Sequence, residues 1–146
     1  MNRWPRYQLA PSKPGAKAKP IISEDTMQAQ VIAWANRQVK VYPELAWLFH
    51  VPNGGQRSTA VAGKLQAQGV KPGVPDLCLP VPRFGKHGLW IEMKTQDGQV
   101  RKPQKAWIAF LREAGYRVEV CRSFDEARDV LVGYLNPKVP FPPEIY

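Results

Sequence analysis

Val31, Trp34 and Ala35 recur at the spacing that brings apolar side chains to one side of a helix. Ser23 is placed to cap that helix, and Glu24 and Asp25 supply the negative first turn that suits a positive helix end. A helix from Glu24 to about Lys40 is therefore predicted. Residues 45–51 form a short apolar stretch that reads as a strand, Pro52-Asn53-Gly54-Gly55 as a turn, and Ser58 as the cap of a second helix ending at Gly69. After a Gly/Pro-punctuated approach over residues 70–75, residues 76–81 and 89–94 read as two strands of a hairpin, with turn formers between them. Pro103 suits a helix first turn and Gly115 the position past its end, which predicts a helix over 102–114. Residues 116–122 read as a strand with Val118 and Val120 inward. Ser123 and Glu126 form a capping box for a last helix to about Leu135. The order α-β-α-β-β-α-β-α predicts an α/β fold, a mixed β-sheet flanked by α-helices.

Both ends differ from this body. Residues 1–20 mix Pro5, Pro11, Pro14 and Pro20 with Arg3, Arg6, Lys13, Lys17 and Lys19, which reads as an extended basic arm. Residues 137–146 hold four prolines and read as an irregular tail. One domain over 21–136 is expected between them. Its 146-residue chain is 44% apolar, an ordinary globular value.

Charge narrows the partners. Twenty-one Lys and Arg against 12 acidic residues give +9, a surplus that attracts polyanions and favours nucleic acid over a membrane surface. No run is long enough to span a bilayer, and no signal-peptide pattern opens the chain, so a soluble, intracellular (cytoplasmic) protein is expected. Cys78 and Cys121 lack zinc-ligand spacing and read as buried thiols in adjacent strands.

Three residues stand against the apolar background. In a strand, Glu92 and Lys94 share one face while Ile91 and Met93 share the other. Charges in so apolar a segment need a partner or a metal. A cross-strand ion pair would satisfy them, but Asp76 begins the neighbouring strand and is expected close to Glu92. Two carboxylates at short range repel unless a cation holds them, and hard oxygen ligands suit Mg²⁺ or Mn²⁺.

Pro75-Asp76, a gap of 15 residues, then Glu92-x-Lys94 resembles the PD-(D/E)-x-K nuclease signature. His50-Val51-Pro52-Asn53-Gly54-Gly55-x-Arg57, Gly69-Val70-Lys71-x-Gly73-Val74-Pro75-Asp76-Leu77, Ile91-Glu92-x-Lys94 and Gln104 together resemble the virus-type replication–repair nuclease (VRR-NUC) family, from about Ser23 to Leu135. The resemblance implies a restriction-endonuclease-like fold. It makes Asp76, Glu92 and the Met93 carbonyl metal ligands, Lys94 the catalytic lysine, and Glu24 and Gln104 further members of the site. It also implies a Mg²⁺- or Mn²⁺-dependent DNA nuclease for structured, branched or junction DNA in phage or bacterial replication or repair, with a possible homodimer.

Each carry-over has a plainer alternative. Glu24 would serve the helix dipole in any case. Gln104 lies on the stripe of Trp107, Ile108 and Leu111, where a polar group needs a partner, here the metal-bound water or the Lys94 ammonium; solvation at the helix edge is the alternative. His50, Asn53, Arg57, Lys71, Arg101 and Lys102 are candidate DNA contacts, although turns require glycines without any ligand. Arg101-Lys102 stands where the family places Ser or Thr, so a helix cap is in doubt. A ββα-metal (HNH) nuclease around His50 and Asn53, a non-catalytic basic DNA-binding module, and an accessory subunit on a nuclease fold remain as rival readings.

Overall fold

The computed structural model describes residues 20–52, 58–136 and 138. Most of the basic arm, most of the tail, and residues 53–57 with Asn53 and Arg57 therefore lie outside the described residues.

The elements run α1 (Glu24–Gln38), a 3-10 turn (Pro43–Trp47), β1 (Phe49–His50), α2 (Thr59–Ala67), β2 (Leu77–Leu79), β3 (Leu89–Met93), α3 (Lys102–Glu113), β4 (Arg117–Cys121) and α4 (Phe124–Leu135). Serine caps start three of the helices: Ser23, Ser58 and Ser123 accept from the backbone N–H groups of Thr26, Val61 and Glu126. Glu126 reaches back to the N–H of Arg122 at 2.6 Å, one residue ahead of the expected box partner.

Two of the expected strands need correction. The apolar stretch over 45–51 is mostly not a strand: Pro43 fixes a helical φ and starts the 3-10 turn, leaving only Phe49 and His50 in β1. The second strand is shorter than predicted because Pro80 has no N–H to continue its ladder.

The sheet order is β1-β2-β3-β4, antiparallel except for the parallel pair β3–β4, so it is the mixed sheet expected. Cys78 in β2 and Cys121 in β4 are buried and free, but β3 separates their strands, so they are not on adjacent strands.

Strand alternation divides the core. Leu77, Leu79, Leu89, Ile91, Met93 and Cys121 pack with Met27, Val31 and Ala35 of α1 and with Ala127, Val130, Leu131 and Tyr134 of α4. On the other face Trp90, Val118 and Val120 pack under Trp107, Ile108 and Leu111 of α3. Helices thus cover both faces. By contrast, α2 has no buried residue. No helix among the described residues is long and apolar enough to cross a membrane.

Candidate active site

The hairpin decides which groups meet. Leu77 pairs with Ile91 and Cys78 with Trp90. One further step of that register sets Asp76 opposite Glu92, on the face shared by Trp90 and Lys94. Asp76 precedes β2 and uses its side chain in place of a ladder carbonyl: Oδ2 accepts the Met93 N–H at 2.7 Å. A strand residue turns its N–H and C=O to the same neighbour, so the Met93 carbonyl also faces the Asp76 edge.

Glu92 and Lys94 are buried, at 2% and 5% exposure. Lys94 Nζ lies 3.1 Å from Glu92 Oε1 and 3.5 Å from Glu24 Oε1, so the first turn of α1 contributes to the cluster. Gln104 Nε2 donates to Glu92 Oε1 at 2.7 Å, and Gln104 Oε1 accepts the Arg101 N–H at 2.8 Å. The partner of Gln104 is therefore the Glu92 carboxylate, not the Lys94 ammonium. The same amide supplies the cap that Arg101 does not: an arginine side chain has no acceptor.

Electrostatics mark this cluster. Burial, and then the charge of Asp76, push the Glu92 carboxyl up to about 7 although Lys94 opposes the shift. Burial also raises Asp76, against the pull of the Met93 N–H and Lys94. Both acids therefore gain from a nearby cation that stabilises their ionised forms.

Does the donor set suit a metal? Among the described residues, no three His, Cys, Asp or Glu side chains converge as a closed cage. The available set is two carboxylates and one carbonyl, all hard oxygens, with Glu24 turned to Lys94. Such an open set fits Mg²⁺, which keeps several waters and is commonly held by one or two carboxylates.

The supporting turns are tightly built. At Gly73, with φ +88°, a Cβ would stand 2.5–2.8 Å from the backbone of Pro103 and Gln104. The approach to Asp76 is thereby seated on the first turn of α3. The same contact brings the loop of Lys71 beside Arg101 and Lys102, all three exposed. His50 Nδ1 donates to the Asp76 carbonyl at 2.9 Å, and Val51 N–H donates to it at 2.8 Å.

Arg122 escaped the sequence reading. Its Nη1 donates to the carbonyls of Thr95 and Gly98 at 2.8 Å each and reaches Gln96 at 3.2 Å. This fixes the turn after Lys94, whose Gly98 lies against Glu24 Oε1. The one hint in the sequence is an arginine between a strand and a helix cap, which is too common to single it out.

A mixed sheet flanked by four helices, with two acids and a lysine at one end of its hairpin, defines the restriction-endonuclease-like α/β class. The VRR-NUC domain profile matches residues 22–125. A solved structure described as a VRR_NUC domain protein shares 32% identity and superposes with a TM-score of 0.67, over 79% of this chain and 89% of that one. The chain belongs to the VRR-NUC domain family, a nuclease-type domain of the PD-(D/E)-x-K superfamily. No curated protein matches it.

Proposed function

We propose that this chain is a divalent-metal-dependent DNA nuclease that hydrolyses phosphodiester bonds at the cluster of Asp76, Glu92 and Lys94. The carrying observation is the pair of facing carboxylates, both raised by burial, beside a buried lysine. Asp76, Glu92 and the Met93 carbonyl are the groups to hold Mg²⁺ or Mn²⁺. When bound, such an ion supplies Lewis-acid stabilisation of the phosphate and a readier source of hydroxide at neutral pH.

The chain's own groups do the rest. Lys94, held between Glu92 and Glu24, places a positive charge where negative charge builds on the phosphate. Gln104 orients Glu92, and Glu24 orients Lys94. Lys71, Arg101 and Lys102 form a basic rim for the backbone of DNA, extended by His50; Asn53 and Arg57, which lie outside the described residues, are further candidate DNA contacts. Residues 21–136 act as the nuclease domain, with residues 1–20 and 137–146 as flanking arms. Structured or branched DNA in phage or bacterial replication or repair is the substrate setting, and a homodimer would present two sites to two strands.

The test is cleavage of plasmid and branched DNA with Mg²⁺, Mn²⁺ or EDTA, for the native chain and Lys94→Ala. Divalent-dependent nicking that Lys94→Ala abolishes, with DNA binding retained, is expected. Cleavage that survives EDTA or the substitution overturns the assignment. A non-catalytic basic module would bind DNA in every arm and cut in none.

A further inference from the structure

Two large aromatic side chains, Trp47 and Phe49, are left out of the core. Trp47 is 70% exposed and Phe49 46% exposed, while Leu48 between them packs against the main core. Trp47 ends the 3-10 turn and Phe49 opens β1, an edge strand only two residues long. Exposed aromatics on a sheet edge invite self-association, so their presence calls for an occupant.

The register indicates where Phe49 points. Phe49 pairs with Cys78, and Cys78 with Trp90. Paired residues share a face, so Phe49 stands on the same side of the sheet as Asp76, Glu92 and Lys94. Asp76 is two residues before Cys78, which makes it the diagonal neighbour of Phe49 across β1 and β2. Diagonal neighbours lie roughly 7–8 Å apart. That distance is within reach of one nucleotide whose base has left the stack.

Resting on the nuclease reading above, we propose that Phe49, with Trp47 two residues before it in the chain, is the platform on which an unpaired base of the DNA substrate stacks, next to the phosphate at Asp76 and Glu92. Three features favour a base over other occupants. The ring adjoins the carboxylate cluster, the chain carries a net charge of +9 that draws in polyanions, and any base offers a π-face to an aromatic ring regardless of sequence. A base inside an intact duplex is already stacked and gains nothing there. The platform therefore makes an unpaired nucleotide beside the scissile phosphate a specificity determinant.

The experiment measures binding of the full chain, in EDTA, to fluorescein-labelled duplex DNA with a short single-stranded extension. Matched probes carry either a normal nucleotide or an abasic one at each position of the extension and junction. For the native chain, one abasic position is expected to weaken binding on the order of tenfold. In Phe49→Ala and in Phe49→Leu, which keeps bulk but no π-face, that penalty should disappear, while Phe49→Trp should retain it. Circular dichroism verifies that each variant is folded.

A penalty that persists in Phe49→Ala and Phe49→Leu, or no penalty in the native chain, overturns the proposal. So does a fall in solution mass from dimer to monomer in Phe49→Ala with equal loss for every probe, which would assign the patch to a second copy of the chain. Cleavage of the same probes with Mg²⁺ is scored separately. Its absence sinks the nuclease reading and leaves the base-dependent binding to stand or fall by itself.

Discussion

Gln104 binds Glu92 with its amide nitrogen and the N–H of Arg101 with its amide oxygen, so one side chain both orients a candidate metal ligand and caps α3. These jobs separate under mutation. Gln104→Glu keeps an acceptor for Arg101 but sets a second carboxylate against Glu92, whereas Gln104→Ala loses both bonds. Losing the cap should cost about 1 kcal/mol of stability in the alanine variant. Metal affinity should fall about 10–100-fold in both, the usual effect of removing a group that orients a ligand. Denaturant unfolding and Mn²⁺ titration of cleavage read the two effects. Full metal affinity in Gln104→Ala would remove Gln104 from the site.

Gly73→Ala tests the seating of the Asp76 approach. The new Cβ would meet backbone atoms of Pro103 and Gln104 at 2.5–2.8 Å, and the residue would sit at φ +88°, which favours glycine. Backbone cannot swing aside as a side-chain tip can. A loss of about 1–3 kcal/mol is expected from the overpacking alone, with cleavage falling as Asp76 and Gln104 move apart. Unchanged denaturant midpoint and activity would show that this contact is relaxed easily.

Much of this arrangement was readable because strand geometry is strict. Once residues 89–94 are taken as a strand, Glu92 and Lys94 must share a face, and a short hairpin brings Asp76 opposite them. The serine caps were readable for a similar local reason. What failed depended on distant packing or on competing turn chemistry. Pro43 diverted an apolar stretch into a 3-10 turn. The partner of Gln104 depended on how α3 lies across β3, which spacing along α3 does not fix. The inward Val118 and Val120 were expected, but the buried charges between and beside them, Arg117 and Glu119, were not: alternation alone marks them as exposed.

Arg117 and Glu119 supply the third prediction. Their side chains meet at 2.6 Å, both almost fully buried. Glu119→Ala takes the carboxylate from beside a buried guanidinium, and removing one member of a buried pair typically costs about 3–5 kcal/mol. Replacing both by apolar residues of similar volume should restore much of that loss. Urea unfolding of the single and double variants gives the comparison. A double variant no more stable than Glu119→Ala would mean that the charges matter for more than each other.

The last prediction follows from the raised carboxyls. In the folded chain Glu92 titrates at about 7, against an ordinary 4.5, and burial moves Asp76 in the same direction. The folded state therefore binds protons more tightly than the unfolded one between these values. Without divalent ions, the contribution of Glu92 is fully present below about 4.5 and is lost as pH rises through about 7. Thermal unfolding in EDTA should accordingly show lower stability at pH 8 than at pH 5.5, and Glu92→Gln should flatten that slope. At the proposed metal site Mg²⁺ would compete with protons for the same oxygens, so it should raise the unfolding temperature more at pH 8 than at pH 5.5. A native slope unaffected by Glu92→Gln, together with Mg²⁺ stabilisation independent of pH, would show that the ion is not held by these carboxylates.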